Sequence, residues 1–295
     1  MLNYYLKTSM YTDLGPYKFF AQSLPDDIEL LGAMQRMQTI HPLNVSKTVA
    51  KEIKNHKLTQ EEDVMPTAIA MLNELLRRNP NYTTTRKEED KLHISCRGQA
   101  ILMTSILKAK AIPARVRSGF AKYFDKNGPY LDHWICEYYN NQSKRWTLVD
   151  ADSFGTNDEL EFEMSDVPYN QFLFGAEAWL AIRNKKISGN QIYNIGGLEG
   201  YYAALISLMD DFNALMGNEK IYLHTPSYLF ADGATMAKHH LRKLTDKELR
   251  ELDKLALIML DVDNNHDKLV AIFNKQLKFR KFNGVLNWDN GKPYN

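Results

Sequence analysis

Apolar residues recur at helical spacing through the first ninety positions of this 295-residue chain. In "SLPDDIELLGAMQRMQTIHP" a serine, a proline and two acids precede Ile28, Leu31 and Met34, and Pro42 closes the run, which predicts a capped amphipathic helix. "TQEEDVMPTAIAMLNELLRRNP" places Thr59 and Glu62 at capping-box spacing, with Pro66 marking the first turn. Ile69, Leu72, Leu75 and Leu76 then share a face, Pro80 stops the run, and "YTTTRKEEDK" is a polar connection. From residue 95 the period changes. One helical run, Cys96 to about Lys110, has Ala100, Met103, Ile106 and Leu107 on one face and ends before Pro113. Strand-like stretches follow at 114–123, 133–139 and 145–150. After about residue 155 the helical period returns, interrupted by the loop-like "YNIGGLEG". "TDKELRELDKLALIML" has a capping box at Thr245 and Glu248, with Leu249, Leu252 and Leu255 on one face. "DKLVAIFNKQLKFRKF" is a basic amphipathic helix candidate, read as a surface helix packed on the body. Strands gathered mid-chain between helical flanks predict an α+β fold. Its parts are a mainly helical stretch at 1–90, a core at 91–155, and a mainly helical extension at 156–295 packed on that core.

Composition narrows the partners. Apolar residues make up 44% and charged residues 25%, enough for a sizeable core. Lys+Arg 37 against Asp+Glu 36 gives a net charge of +1, which argues against nucleic acid or anionic lipid as a partner. The N-terminus lacks a basic region followed by an apolar run, and no stretch reaches the roughly 18 apolar residues of a membrane helix. The only cysteines are Cys96 and Cys136, without a CxxC, which fits a reducing, cytoplasmic setting. No cofactor is expected. Nor is a metal: "DVDNNHDKL" from Asp261 resembles a calcium loop, but His266 replaces the turn glycine and Ile272 stands in place of the bidentate acid. His239 and His240 are adjacent and would face different sides of a helix.

The candidate chemistry begins in "HWICEYYNNQSKRWTLVD", two strands around a polar turn. A turn centred between Asn141 and Gln142 pairs Tyr139 with Lys144, Glu137 with Trp146, Ile135 with Leu148 and His133 with Asp150. Opposed Cβ atoms lie about 5 Å apart, so imidazole and carboxylate could hydrogen-bond. Two- and four-residue loops about that centre give this register; an odd loop sends Asp150 to the other face. Asp152 is the second choice of carboxylate. Such a pair fixes a histidine's tautomer and supports its protonated form, but needs a nucleophile.

"HISCRGQAILMTSILKAKAIPARVR" supplies one. With Ser95 as N-cap, Cys96 falls in the first turn of a core helix, where amides and the positive dipole end stabilise a thiolate. A nearby imidazolium favours it further, and the same amides suit the oxyanion of a tetrahedral intermediate. Cys136, three residues after His133 on one strand, points to the opposite face and reads as packing.

The order of the Cys-bearing helix, "IPARVRSGF", "DHWICEYY" and "RWTLVDAD" resembles the transglutaminase-like superfamily of papain-related cysteine enzymes, over about residues 90–155. The resemblance implies a Cys-bearing helix packed on an antiparallel sheet. It also implies Cys96 as nucleophile, His133 as base and Asp150 as orienting carboxylate, the spacing from Trp146 favouring Asp150 over Asp152. "SDVPYNQFLFGAEAW" and "LISLMDDFNALMGNE" look like a longer bacterial group of these proteins. Ala111 and Ser95 depart from the pattern, the family commonly having glycine at the first position and glycine or asparagine at the second. The implied function is cysteine-dependent acyl transfer on peptide or carboxamide bonds, as a peptidase, amidase or transglutaminase, with a peptide or protein substrate. The alternatives are a non-catalytic interaction module on the same fold and a peptide N-glycanase-like amidase. The latter group normally carries paired CxxC motifs, which this chain lacks.

Overall fold

Four of the described long helices begin where a short polar side chain takes over an unpaired amide. Asp27 accepts from the Leu30 N–H at 2.7 Å and starts α1, Ile28–Gln38. Helix α2, Ala68–Arg78, starts two residues after Pro66 and not with it in the first turn; Thr67 is its N-cap, accepting from the Ala70 N–H. The computed structural model describes residues 1–44, 61–155, 160–194, 197–222, 224, 226–229, 242–280, 288–289 and 292–293. Thr59, His239 and His240 lie outside them. The fold is α+β, and its contacts divide it into two units: Met1–Arg117 with Trp134–Tyr169, and Ser118–His133 with Asn170–Asn295.

The first unit is built on α3, Cys96–Ala109, of which every residue is buried. Its polar residues therefore need internal partners. Ser105 Oγ donates to the Ile101 carbonyl at 2.6 Å, and Lys108 Nζ donates to the Lys7 carbonyl at 2.9 Å. The helix ends in a Schellman turn, with Ile112 N–H on the Leu107 carbonyl and Ala111 N–H on the Lys108 carbonyl. Ala111 sits in the left-handed region at φ 60°. The strands follow: β1, Ala114–Ala121; β2, Tyr130–Asn140; and β3, Arg145–Val149. Thr104 Oγ1 contacts Cys136 Sγ at 3.2 Å, so Cys136 packs β2 against α3. On the other side of β2, Glu137 accepts from Arg115 and from Arg117 at 2.8 Å, and from the Tyr169 hydroxyl at 2.5 Å. The Arg115 guanidinium also stacks 3.9 Å from the Trp146 ring and 4.8 Å from the Tyr5 ring. A short parallel pairing of Thr39–Ile40 with Leu92–His93 lies just before the Cys helix, in a region expected to be helical or polar connection.

In the second unit β4, Phe172–Phe174, pairs antiparallel with Gly119–Ala121 of β1. It runs into α4, Gly175–Arg183, where Glu177 accepts from the Phe174 N–H at 3.0 Å. Next, β5, Ile192–Tyr193, pairs parallel with the start of β2, giving a sheet ordered β3-β2-β1-β4 with β5 beside β2. Helix α5, Gly200–Leu215, carries fourteen buried residues. It meets α4 so closely that a Cβ on Gly175 would lie 2.3 Å from the Ser207 carbonyl. Helix α6, Asp246–Met259, has the expected Thr245–Glu248 capping box, and its Asp253 accepts from Trp179 Nε1 at 2.8 Å. The acidic stretch from Asp261 opens α7, Val262–Lys275, with Asp261 as N-cap. The C-terminal helix thus starts and stops earlier than its apolar spacing suggested. Among the described residues no helix is long and apolar enough to cross a membrane.

Candidate active site

Cys96 is the first residue of α3 and is 4% exposed. Ser95 has the extended backbone of an N-cap, but its side chain does not cap. Its Oγ instead donates to Glu62 Oε1 at 2.5 Å. The Glu62 carboxylate and the Arg97 guanidinium approach to 4.0 Å with both side chains fully buried. Gly98 makes room for that carboxylate, since a Cβ there would lie 2.5 Å from Glu62 Oε2. An anion at the amino end of a helix is favoured by the dipole. This support was hidden in the sequence, where Glu62 read only as a capping-box partner of Thr59.

The carboxylates stand at the end of β3. Asp150 is fully buried, and its N–H donates to the Met164 carbonyl at 2.8 Å. Its Oδ1 accepts from the Asp152 N–H at 3.1 Å, an Asx turn that fixes the side chain. Asp152 Oδ1 in turn accepts from Gln99 Nε2, and Gln99 Oε1 accepts from Thr39 Oγ1 at 2.8 Å. Gln99 lies three residues after Cys96, so one buried amide joins the Cys helix to the carboxylate turn. The sequence did not mark it, since the apolar face read for this helix leaves Gln99 off it and only the structure shows that every side is buried.

The hairpin register differs from the expected one. The ladder pairs Cys136 with Val149, Glu137 with Leu148, Tyr138 with Thr147, Tyr139 with Trp146 and Asn140 with Arg145. The turn is therefore the four residues 141–144, centred one residue later than expected. Asn140 decides this, its Oδ1 accepting from the Gln142 N–H at 2.9 Å and the Ser143 N–H at 3.2 Å, while Lys144 turns the chain at φ 54°. Pairing slides by two residues and the ladder ends at Cys136 with Val149, so it does not pair His133 with Asp150.

His133 is 2% exposed and ringed by aromatic edges, with centroids of Phe124 at 4.8 Å, Phe172 at 6.4 Å and Tyr123 at 6.5 Å. The neighbouring Asp132 accepts from Asn194 Nδ2 at 2.8 Å. The structure thus joins Asp150 and Asp152 to the Cys96 helix through Gln99. Cys136 is a different kind of cysteine: burial pushes its thiol up to about 12, only partly offset by Thr104 and Lys108.

No family model matches the chain, and no curated protein matches it. A solved structure from Cytophaga hutchinsonii, described as a candidate cysteine protease, aligns at a TM-score of 0.35 and 15% identity. The alignment covers 59% of this chain and 45% of that one. That score is too low to assign a shared fold.

Proposed function

We propose that this chain is a cysteine-dependent acyl-transfer enzyme acting on a peptide or side-chain carboxamide, with Cys96, His133 and Asp150 as its catalytic residues. His133 takes the Cys96 proton as the Sγ–C bond forms, and returns it to the leaving nitrogen as the C–N bond breaks. Water then hydrolyses the thioester, restoring the thiol and releasing the acid; an amine in place of water would make the product a new amide. Asp150 holds the imidazole and supports its positive charge. Amides of the first turn of α3 receive the oxyanion. The observation that carries the reading is Cys96 opening a buried helix whose next turn is hydrogen-bonded, through Gln99 and Asp152, to the Asp150 turn.

Iodoacetamide labelling at about pH 6 tests it, because only a thiol with a depressed pKa reacts quickly there. Fast single-site modification of Cys96 is expected, lost in Cys96→Ser and slowed at least about tenfold in His133→Ala. Labelling of Cys96 no faster than a free thiol, or equally fast in His133→Ala, would instead indicate a non-catalytic interaction module.

A further inference from the structure

At the other end of α3 lies a half-open cleft of about 370 Å³, formed within the first unit by the N-terminal segment and the last turns of the helix. Its wall carries three lysines, Lys7, Lys18 and Lys108, against one carboxylate, Asp13. The chain as a whole has a net charge of +1, so an excess of two positive charges around one small cavity is a strong local bias. The lysines play different parts. Lys108 is 9% exposed, and its ammonium is held by the main-chain carbonyl of Lys7, another wall residue, at 2.9 Å. Lys7 and Lys18 are exposed, so their ammonium groups are free to swing toward an incoming anion. Thr12, fully buried, has its hydroxyl engaged by the Ser9 N–H at 2.9 Å, and Leu14 adds an apolar surface. One fixed cation and two adjustable ones beside an apolar patch suit an oxyanion joined to a small organic group.

We propose that this cavity binds a small organic molecule bearing phosphate or carboxylate groups. The size fits, since ligand cavities start at about 300 Å³. The position separates it from the candidate active site: Lys108 is twelve residues along α3 from Cys96, about 18 Å at helical rise. Occupancy would tie the N-terminal segment to the core helix and report on the abundance of such an anion.

The test uses the full chain with pyrophosphate and, separately, citrate, against sodium chloride at matched ionic strength. Calorimetry and thermal unfolding are read on the wild type, Lys108→Met and the double variant Lys7→Gln/Lys18→Gln. Saturable binding is expected for at least one anion, raising Tm by about 3 °C at about ten times Kd. The stronger arm identifies the oxyanion. Affinity should fall at least about tenfold in each variant, the loss expected when a charge-assisted contact is removed. Lys7 and Lys18 are exposed, so the double variant decides the matter if Lys108→Met does not fold. A shift no larger than that of chloride, or one unchanged in the double variant, overturns the proposal. Cys96 labelling can remain intact in either case, so this result and that of the acyl-transfer reading are separable.

Discussion

Gln99 illustrates how a single buried amide constrains two distant pieces of chain. Its carbonyl oxygen is engaged by Thr39 and its nitrogen by Asp152, so neither end can turn without leaving a buried polar group unmatched. Replacing it with leucine should cost roughly 2 kcal/mol and loosen the turn that holds Asp150. On the proposed mechanism Gln99 is a positioning residue. Gln99→Leu should shift the pH profile of Cys96 alkylation toward alkaline pH, whereas a purely structural role would lower stability and leave that profile in place. Gln99→Asn, which keeps the amide on a shorter stem, should restore part of the profile. The type of residue was readable from the chain, but its partners were not. Thr39 and Asp152 lie 60 and 53 positions away, and nothing local encodes such pairings.

At the scale of elements, the helix ends follow local chemistry closely, because caps are made by residues within one turn. Asp27, Thr67 and Thr245 cap as side chains of their kind should. Ala111 is the exception that locality also explains. A Schellman turn needs a left-handed residue at its C′ position, and a Cβ there is strained. Ala111→Gly keeps both turn hydrogen bonds and removes that strain. It should stabilise the protein by about 1 kcal/mol and raise Tm by about 2–4 °C, read by thermal unfolding. Ser95 shows the opposite behaviour. A good local cap is diverted because Glu62, from thirty-three residues upstream, offers a carboxylate acceptor.

For the molecule as a whole, folding must desolvate the Glu137 network, whose carboxylate and two arginines are buried in the first unit. Burial would raise the Glu137 carboxyl, but Arg115 and Arg117 outweigh it, with hydrogen bonds from Arg115 and Tyr169, and hold it at about 2. A carboxyl depressed in the folded state contributes stability above its unfolded pKa of about 4.3, and that contribution is lost as pH falls toward 2. Glu137→Gln should therefore cost on the order of 3 kcal/mol at pH 7. The gap from wild type should narrow steadily between about pH 4.5 and pH 2. Denaturant unfolding of both proteins across that range checks it; a gap independent of pH would mean the carboxylate charge contributes little.

The sequence alone determined most of the helical periods, the Asp27 and Thr245 helix starts, the mid-chain grouping of strands and the packing role of Cys136, because these depend on neighbours within a turn or on strict alternation. The hairpin shows where that ends. Alternation assigned Asp150 and His133 to one side of the hairpin, but the choice between two even registers rested on the Asn140 side chain closing its own turn. Tertiary structure alone decided the Glu62–Ser95 contact, the Gln99–Asp152 bridge and the lysine-lined cavity. Each depends on burial between segments far apart in the chain, where a polar group bonds whatever partner folding delivers and not the one its neighbours suggest.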